Sequence, residues 1–242
     1  MLNWNSEIHY TDEIKHKGRR VVFFGEMGCW KTTTAASAPK PFFIDADDGT
    51  IVLEKLHVPF VNVPFGMRED PLNFTMRYLR WFKDGKGPFE KEYADCQTIV
   101  LDTISSLFEK LYLARAESEG AAVERKKLSG FNPIWTELQA CGYNLFQIAE
   151  KISYTKNVIF VAHTYDVTDA NLSKLATVPQ LIGSSKDNIL KHFHDVLYFR
   201  RRGKEVIASP YGHGLALGKV RTQSLKDKVE IPNPTWEKIY GK

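Results

Sequence analysis

The densest chemistry lies in Val21-Val22-Phe23-Phe24-Gly25-Glu26-Met27-Gly28-Cys29-Trp30-Lys31-Thr32-Thr33, an apolar run ending in a glycine-bearing turn and then Lys-Thr. A buried strand, such a turn and a helix start together wrap backbone N–H groups around phosphates. The phosphate-binding segment is therefore Gly25, Glu26, Met27, Gly28, Cys29, Trp30, Lys31, Thr32 and Thr33. Lys31, expected as an exposed charge on a loop, reaches the β- and γ-phosphates of ATP, and the Thr32 hydroxyl serves a magnesium ion (Mg2+). The pattern G-x-x-x-x-G-K-[ST] asks for glycine where Trp30 stands, so the motif fails at one position. The competing reading is an ordinary strand-to-helix turn. The strand, Gly25, Gly28, Lys31 and Thr32 in one register favour phosphate.

Two further segments end in carboxylates. Thr98-Ile99-Val100-Leu101-Asp102 is an apolar strand whose final aspartate, on a strand beside the phosphate loop, can hold the magnesium ion. The alternative is that Asp102 caps the helix starting at Ile104, which would look the same in sequence. Phe42-Phe43-Ile44-Asp45-Ala46-Asp47-Asp48-Gly49 delivers three carboxylates to the same sheet edge. Ligands bind outside the carboxyl ends of parallel strands, so a carboxylate there can orient and deprotonate a water, and Asp47 is the candidate base. Otherwise Asp47 and Asp48 form a turn before Gly49. His163 ends Val158-Ile159-Phe160-Val161-Ala162 and can touch the γ-phosphate and pass its presence to the next loop, or be hydrogen-bonded structure.

The elements that must position these residues follow from patterning. Apolar runs at Arg20–Phe24, Pro41–Asp45, Phe60–Val63, Thr98–Asp102, Val158–His163 and Val196–Arg200 read as strands, several buried on both faces. Pro71–Lys83, Ile104–Glu117 and Pro133–Ser153 carry helical periodicity, with Pro133 suited to a first turn. Alternation of the two types predicts an α/β fold, a mostly parallel twisted sheet covered by helices on both faces. Val167–Lys186 reads as a long loop or hairpin, and Glu117–Gly130 as a polar segment.

A chain of 242 residues accommodates one such domain, 1–242, with residues 1–18 as an N-terminal extension and 222–242 as a C-terminal tail. Hydrophobic residues at 43% and charged residues at 26% exclude disordered and fibrous classes. No apolar run is long enough to span a bilayer and the start is polar, so neither membrane nor secretion is expected. Three cysteines without metal-ligand spacing fit reduced thiols in a cytoplasmic protein. The net charge of +4 allows a nucleic-acid partner, with basic clusters at Arg125-Lys126-Lys127, Arg200-Arg201-Arg202 and Lys219–Lys228.

From Arg19 to Arg221, the segment Phe24–Ala36, the Pro-Lys-Pro-Phe-Phe-Ile-Asp stretch to Gly49, the strand to Asp102, and Val161-Ala162-His163 resemble the phage-encoded RecA-like P-loop ATPases of single-strand annealing and recombination. Phe193–Phe199 and Gly218-Lys219-Val220-Arg221-Thr222 extend the resemblance. It implies a RecA-like P-loop NTPase core, ATP and single-stranded DNA binding, a homo-oligomer, work with a single-strand-binding protein, and a site in the host cytoplasm. It also implies that Lys219 and Arg221, spaced Lys-x-Arg, reach a neighbouring subunit's nucleotide; the bland alternative is a solvated strand end. Relatives have glycine at Trp30 and often glutamate at Asp47, so the base here is one methylene shorter. A hydrolysis-deficient P-loop protein serving as an interaction or regulatory module is the principal alternative. A small-molecule kinase is a third, lacking a recognisable lid or acceptor site.

Overall fold

The computed structural model describes residues 18–64, 69–87, 90–118, 133–181 and 190–241. Its centre is an eight-stranded sheet built on β1 (Arg20–Gly25), the strand that delivers the phosphate loop. On one side of β1 lie β5 (Asn157–Ala162), β4 (Thr98–Asp102), β2 (Pro41–Asp45) and β3 (Phe60–Asn62), all parallel to their neighbours. On the other side β8 (Asp195–Arg202) is also parallel to β1, while β9 (Glu205–Ser209) and β12 (Ile231–Pro232) close the sheet antiparallel. β4 is one strand removed from β1, with β5 between them.

The period-two alternation of β1, β4 and β5 splits the core into two layers. Val22, Phe24, Ile99, Leu101, Val158 and Phe160 face three long helices, α2 (Pro71–Asp84), α4 (Ile104–Ser118) and α5 (Pro133–Ile152), with the short α3 (Glu90–Asp95) between α2 and α4 in the chain. Val21, Phe23, Val100, Ile159 and Val161 face α1 (Lys31–Ala36), the 3-10 turn Gly49–Leu53 and the C-terminal helix Trp236–Tyr240. Strands covered on both sides have no polar face, which is why they read as continuous apolar runs. The result is the mostly parallel, helix-covered sheet of a RecA-like P-loop NTPase core.

Helix boundaries follow local chemistry. The Asp70 side chain accepts from the Asn73 amide at 2.8 Å, Pro71 occupies the first turn, and Gly85 in the left-handed region ends α2. Residues 222–241, expected as a tail, contribute edge strand β12 and a helix that buries Trp236, Ile239 and Tyr240. The Thr34 hydroxyl donates to the Pro234 carbonyl, and the Trp236 amide to the Ser37 hydroxyl, which ties this segment to α1.

The region Val167–Lys186 forms a hairpin over its described residues, and residues 182–186 lie outside them. β6 (Thr164–Thr168) and β7 (Lys174–Pro179) pair antiparallel, and β7 joins short strands β10 (Gly212–His213) and β11 (Ala216–Leu217) in a second, four-stranded sheet. Asp169 makes the turn by accepting from the Asn171 and Ser173 amides. Among the described residues no helix is long and apolar enough to cross a membrane. The polar segment Glu117–Gly130 lies outside the described residues beyond Glu117 and Ser118.

Candidate functional site

The parallel strands β1, β2, β4 and β5 all end at one edge, and the site lies there. Gly25, the last residue of β1, pairs in register with Phe199 of β8. A Cβ on Gly25 would stand 2.2 Å from the Phe199 carbonyl oxygen, so only glycine lets the chain turn out of the sheet at this point. Gly28 follows with φ +72°, and Trp30 caps α1 in the left-handed region at φ 55°, ψ 24°. Trp30 thus holds a left-handed conformation that favours glycine. Its indole is 43% exposed at the rim of the cleft, near Met27 and Val52.

Lys31 is not an exposed charge. It is 7% exposed, and its ammonium donates to the carbonyls of Gly25 at 2.9 Å and Glu26 at 2.8 Å. Burial pulls its pKa down, and the Cys29, Asp102 and Asp47 groups pull it back up. The loop chemistry explains the discrepancy: the turn curls its own carbonyls inward, and they solvate the ammonium.

Across the cleft, Asp102 ends β4 with 1% exposure, and among the described residues neither carboxylate oxygen meets hydrogen-bond geometry with a partner, although the Thr32 hydroxyl lies beside it. A helix N-cap would accept from the first turn of α4, so the capping alternative is excluded; Thr103 takes that role, its hydroxyl accepting from the Ser106 amide at 3.1 Å. Burial pushes the Asp102 carboxyl up to about 7, with a smaller opposing pull from the Thr32 hydroxyl. Gly49 closes this corner: a Cβ there would meet Asp102 Oδ2 at 3.3 Å and Thr32 Oγ1 at 3.6 Å. An orphaned buried carboxylate, a hydroxyl beside it and a glycine-lined wall suit a hard divalent cation such as magnesium.

A carboxyl raised above its unfolded value of roughly 3.9 costs the folded state increasingly as pH climbs to about 7, and the cost is level above that. Asp102→Asn, in protein without metal, is expected to melt higher than wild type at pH 8 and equally near pH 4. Magnesium should raise the wild-type melting temperature and leave the variant unmoved. Thermal melts at two pH values, with and without magnesium, check both statements.

Asp45, Asp47 and Asp48 separate in role once folded. Asp45 is buried and accepts from the amides of Asp47, Gly49 and Thr50 and from the Thr50 hydroxyl, so it builds the turn. Asp48 sits in the left-handed region at φ 54° and is exposed. Asp47 turns toward the cleft: its Oδ1 accepts from the Ser106 hydroxyl at 2.9 Å and its Oδ2 lies 3.4 Å from His163 Nε2. The His163 contact, then Ser106, hold its carboxyl below the usual range against the effect of burial. His163 itself is anchored by its amide donating to Ser105 Oγ, and Ser105 donates to the Gln180 carbonyl at the foot of the hairpin.

Lys219 and Arg221 are elsewhere. Lys219 bridges Val196 at the start of β8, the end of the sheet opposite the phosphate loop. Its ammonium donates to the carbonyls of Leu190 and Phe193, and burial, then Arg221, bring its pKa down to about 8. Arg221 is exposed, and its amide donates to Asp195. Neither belongs to the cleft of its own subunit. Ser105, Ser106 and Arg201 are the contributors that sequence reasoning did not assign. The two serines follow Asp102 closely enough to be suspected, but nothing local distinguishes Arg201 from its neighbours.

Cys29 is 2% exposed and burial raises its thiol pKa, so it packs as a small apolar group. All three cysteines are free and buried.

No curated protein is significantly similar to the chain. Among solved structures, the RadB recombinase is 15% identical with a TM-score of 0.44, covering 82% of this chain and 83% of that one. The flagellar accessory protein FlaH from Methanocaldococcus jannaschii is 10% identical with a TM-score of 0.37, covering 80% of this chain and 77% of the other. Residues 17–228, most of the chain, match a family model described as an AAA domain, and the protein belongs to that AAA domain family.

Proposed function

We propose that the protein binds magnesium-ATP in this cleft, hydrolyses it, and uses the nucleotide to govern single-stranded DNA binding in phage DNA recombination or annealing. The observation that carries the nucleotide reading is the unpartnered, buried Asp102 carboxylate facing Thr32 and Lys31 across a glycine-bearing loop. Thr32 and Asp102 would hold the metal, which when bound neutralises charge on the β- and γ-phosphates. Lys31 exchanges its two loop carbonyls for phosphate oxygens, an exchange of weak acceptors for charged ones. Asp47, fixed by Ser106 and His163, orients the attacking water and accepts its proton.

Asp47→Asn is expected to leave nucleotide affinity within about twofold while lowering turnover by a factor on the order of 10² or more, the usual contribution of a positioned base. Equilibrium titration beside steady-state hydrolysis checks it. Equal losses in affinity and turnover would instead make Asp47 a ligand of the nucleotide. The second reading, a hydrolysis-deficient module, draws support from Trp30 in the loop and from a base whose carboxyl is held below the usual range.

For DNA, the supporting feature is the β6–β7 hairpin, which starts one residue after His163 and exposes Tyr165, Leu172 and Leu175. An exposed aromatic side chain such as Tyr165 offers a stacking surface worth about 1–3 kcal/mol per base. Arg125, Lys126, Lys127 and Phe131, also candidates, lie outside the described residues. Of the arginine run, Arg200 and Arg202 are both paired with Glu230, so their charge is partly spent within the chain. Tyr165→Ala is expected to weaken single-stranded DNA binding about fivefold or more. Fluorescence anisotropy across a salt series measures this, and affinity independent of salt would count against phosphate contacts by the basic clusters. The assembly is proposed to be a cytoplasmic homo-oligomer working with a single-strand-binding protein, in which exposed Arg221 meets the neighbour's nucleotide.

A further inference from the structure

The run Arg200-Arg201-Arg202 is divided by strand alternation. Arg200 and Arg202 both reach Glu230, and Arg202 also reaches Glu205. Arg201 points the other way and has no carboxylate partner among the described residues. Its Nε and Nη2 donate to the Gly28 carbonyl oxygen at 3.3 and 3.1 Å, so the guanidinium rests on the phosphate loop itself. A guanidinium has five N–H donors, so three remain for another acceptor. An uncompensated cation, held on a carbonyl it can leave at little cost, is poised for an anion bound by the same loop.

Its position says which part of the anion. Asp102, Asp47 and His163 stand on the β5–β4–β2 side of β1, and Lys31 with Thr32 faces them. Arg201 stands on β8, the opposite neighbour of β1, two residues beyond Phe199, which is level with Gly25. A nucleotide whose terminal phosphate meets Lys31, Asp47 and His163 extends its other end across the loop toward Arg201. We propose that Arg201 is a nucleotide-binding residue of its own subunit, its guanidinium engaging the α-phosphate end of the nucleotide rather than DNA. The assignment rests on the nucleotide reading given above. Arginine suits the task because its planar fork can keep the Gly28 carbonyl and still present a second edge to phosphate.

The test is equilibrium titration with ADP and with a non-hydrolysable ATP analogue, using wild type, Arg201→Ala, Arg201→Gln, Arg202→Ala and Lys31→Ala. Arg201→Gln keeps a donor for Gly28 and removes the charge, so it separates ligand contact from loop support. The expected result is a similar loss for both nucleotides in both Arg201 variants, roughly tenfold or more, the scale of one charge-assisted hydrogen bond. Arg202→Ala should match wild type in nucleotide affinity, and in Arg201→Ala any loss of single-stranded DNA binding without nucleotide should be smaller than the loss of nucleotide affinity. Wild-type nucleotide affinity in Arg201→Ala overturns the inference, as does a loss confined to the ATP analogue, or to DNA. If wild type and Lys31→Ala bind nucleotide equally, or not at all, the nucleotide reading fails. If only the Lys31 variant is impaired, this inference alone fails.

Discussion

Lys31→Ala is expected to reduce magnesium-nucleotide affinity by a factor on the order of 10² to 10³, the loss of about two charge-assisted contacts. Among the described residues Lys31 is the one ammonium lining the cleft, and it is already desolvated there, so it gains from phosphate without a further dehydration cost. The fold should survive. Removing the side chain relieves the penalty of a buried charge but leaves the Gly25 and Glu26 carbonyls without their donor, and the two effects oppose each other. Calorimetric titration with ATP, alongside a thermal melt, checks both parts. Undiminished affinity in a folded variant would place the phosphate site elsewhere.

Trp30→Gly is expected to raise both ATP affinity and turnover, each severalfold. Trp30 holds φ 55° and ψ 24°, a conformation that costs a side-chain-bearing residue roughly 1–2 kcal/mol. Glycine relieves that strain but loses about 0.5–1 kcal/mol through the greater freedom of the unfolded chain, so stability should change little. The effect belongs to the cleft, whose lining includes the partly covered Trp30 beside Lys31 and Thr32. Steady-state hydrolysis by both proteins, with and without single-stranded DNA, is the measurement. Equal rates at a clearly measurable level would show that the tryptophan is tolerated and would remove the case for a hydrolysis-deficient module.

These two residues also show where local pattern suffices and where it does not. The order strand, turn, Lys-Thr is a local arrangement, and so is an apolar run ending in Asp102; both were legible because hydrophobic periodicity and turn chemistry act over a few residues. The six strands read from such runs all exist, with ends shifted by at most two residues, and so do the three long helices. The short strands β9 to β12 were missed. β10, β11 and β12 have two residues each and no period to detect, and β12 depends on a distant partner, Ile231 pairing with Ala208; β9, five residues long, pairs back onto β8 across a tight turn.

What only the tertiary structure decided is which groups face one another and what they do there. Three aspartates in four residues look alike in the chain. Folding assigns Asp45 to the turn, Asp48 to solvent and Asp47 to His163 and Ser106, because β2, β4 and β5 end at one edge. Burial of Lys31 arises from carbonyls curled inward by the loop, and the orphaning of Asp102 from the walls around it; neither is a property of local sequence. The arginine run makes the same point. Glu230, from the edge of the sheet, takes Arg200 and Arg202, and strand alternation turns Arg201 onto the phosphate loop. Composition and period determined the elements of this protein, because those signals are short-ranged. The chemistry of each charge was decided by neighbours far away in the chain, through desolvation and pairing that exist only after packing.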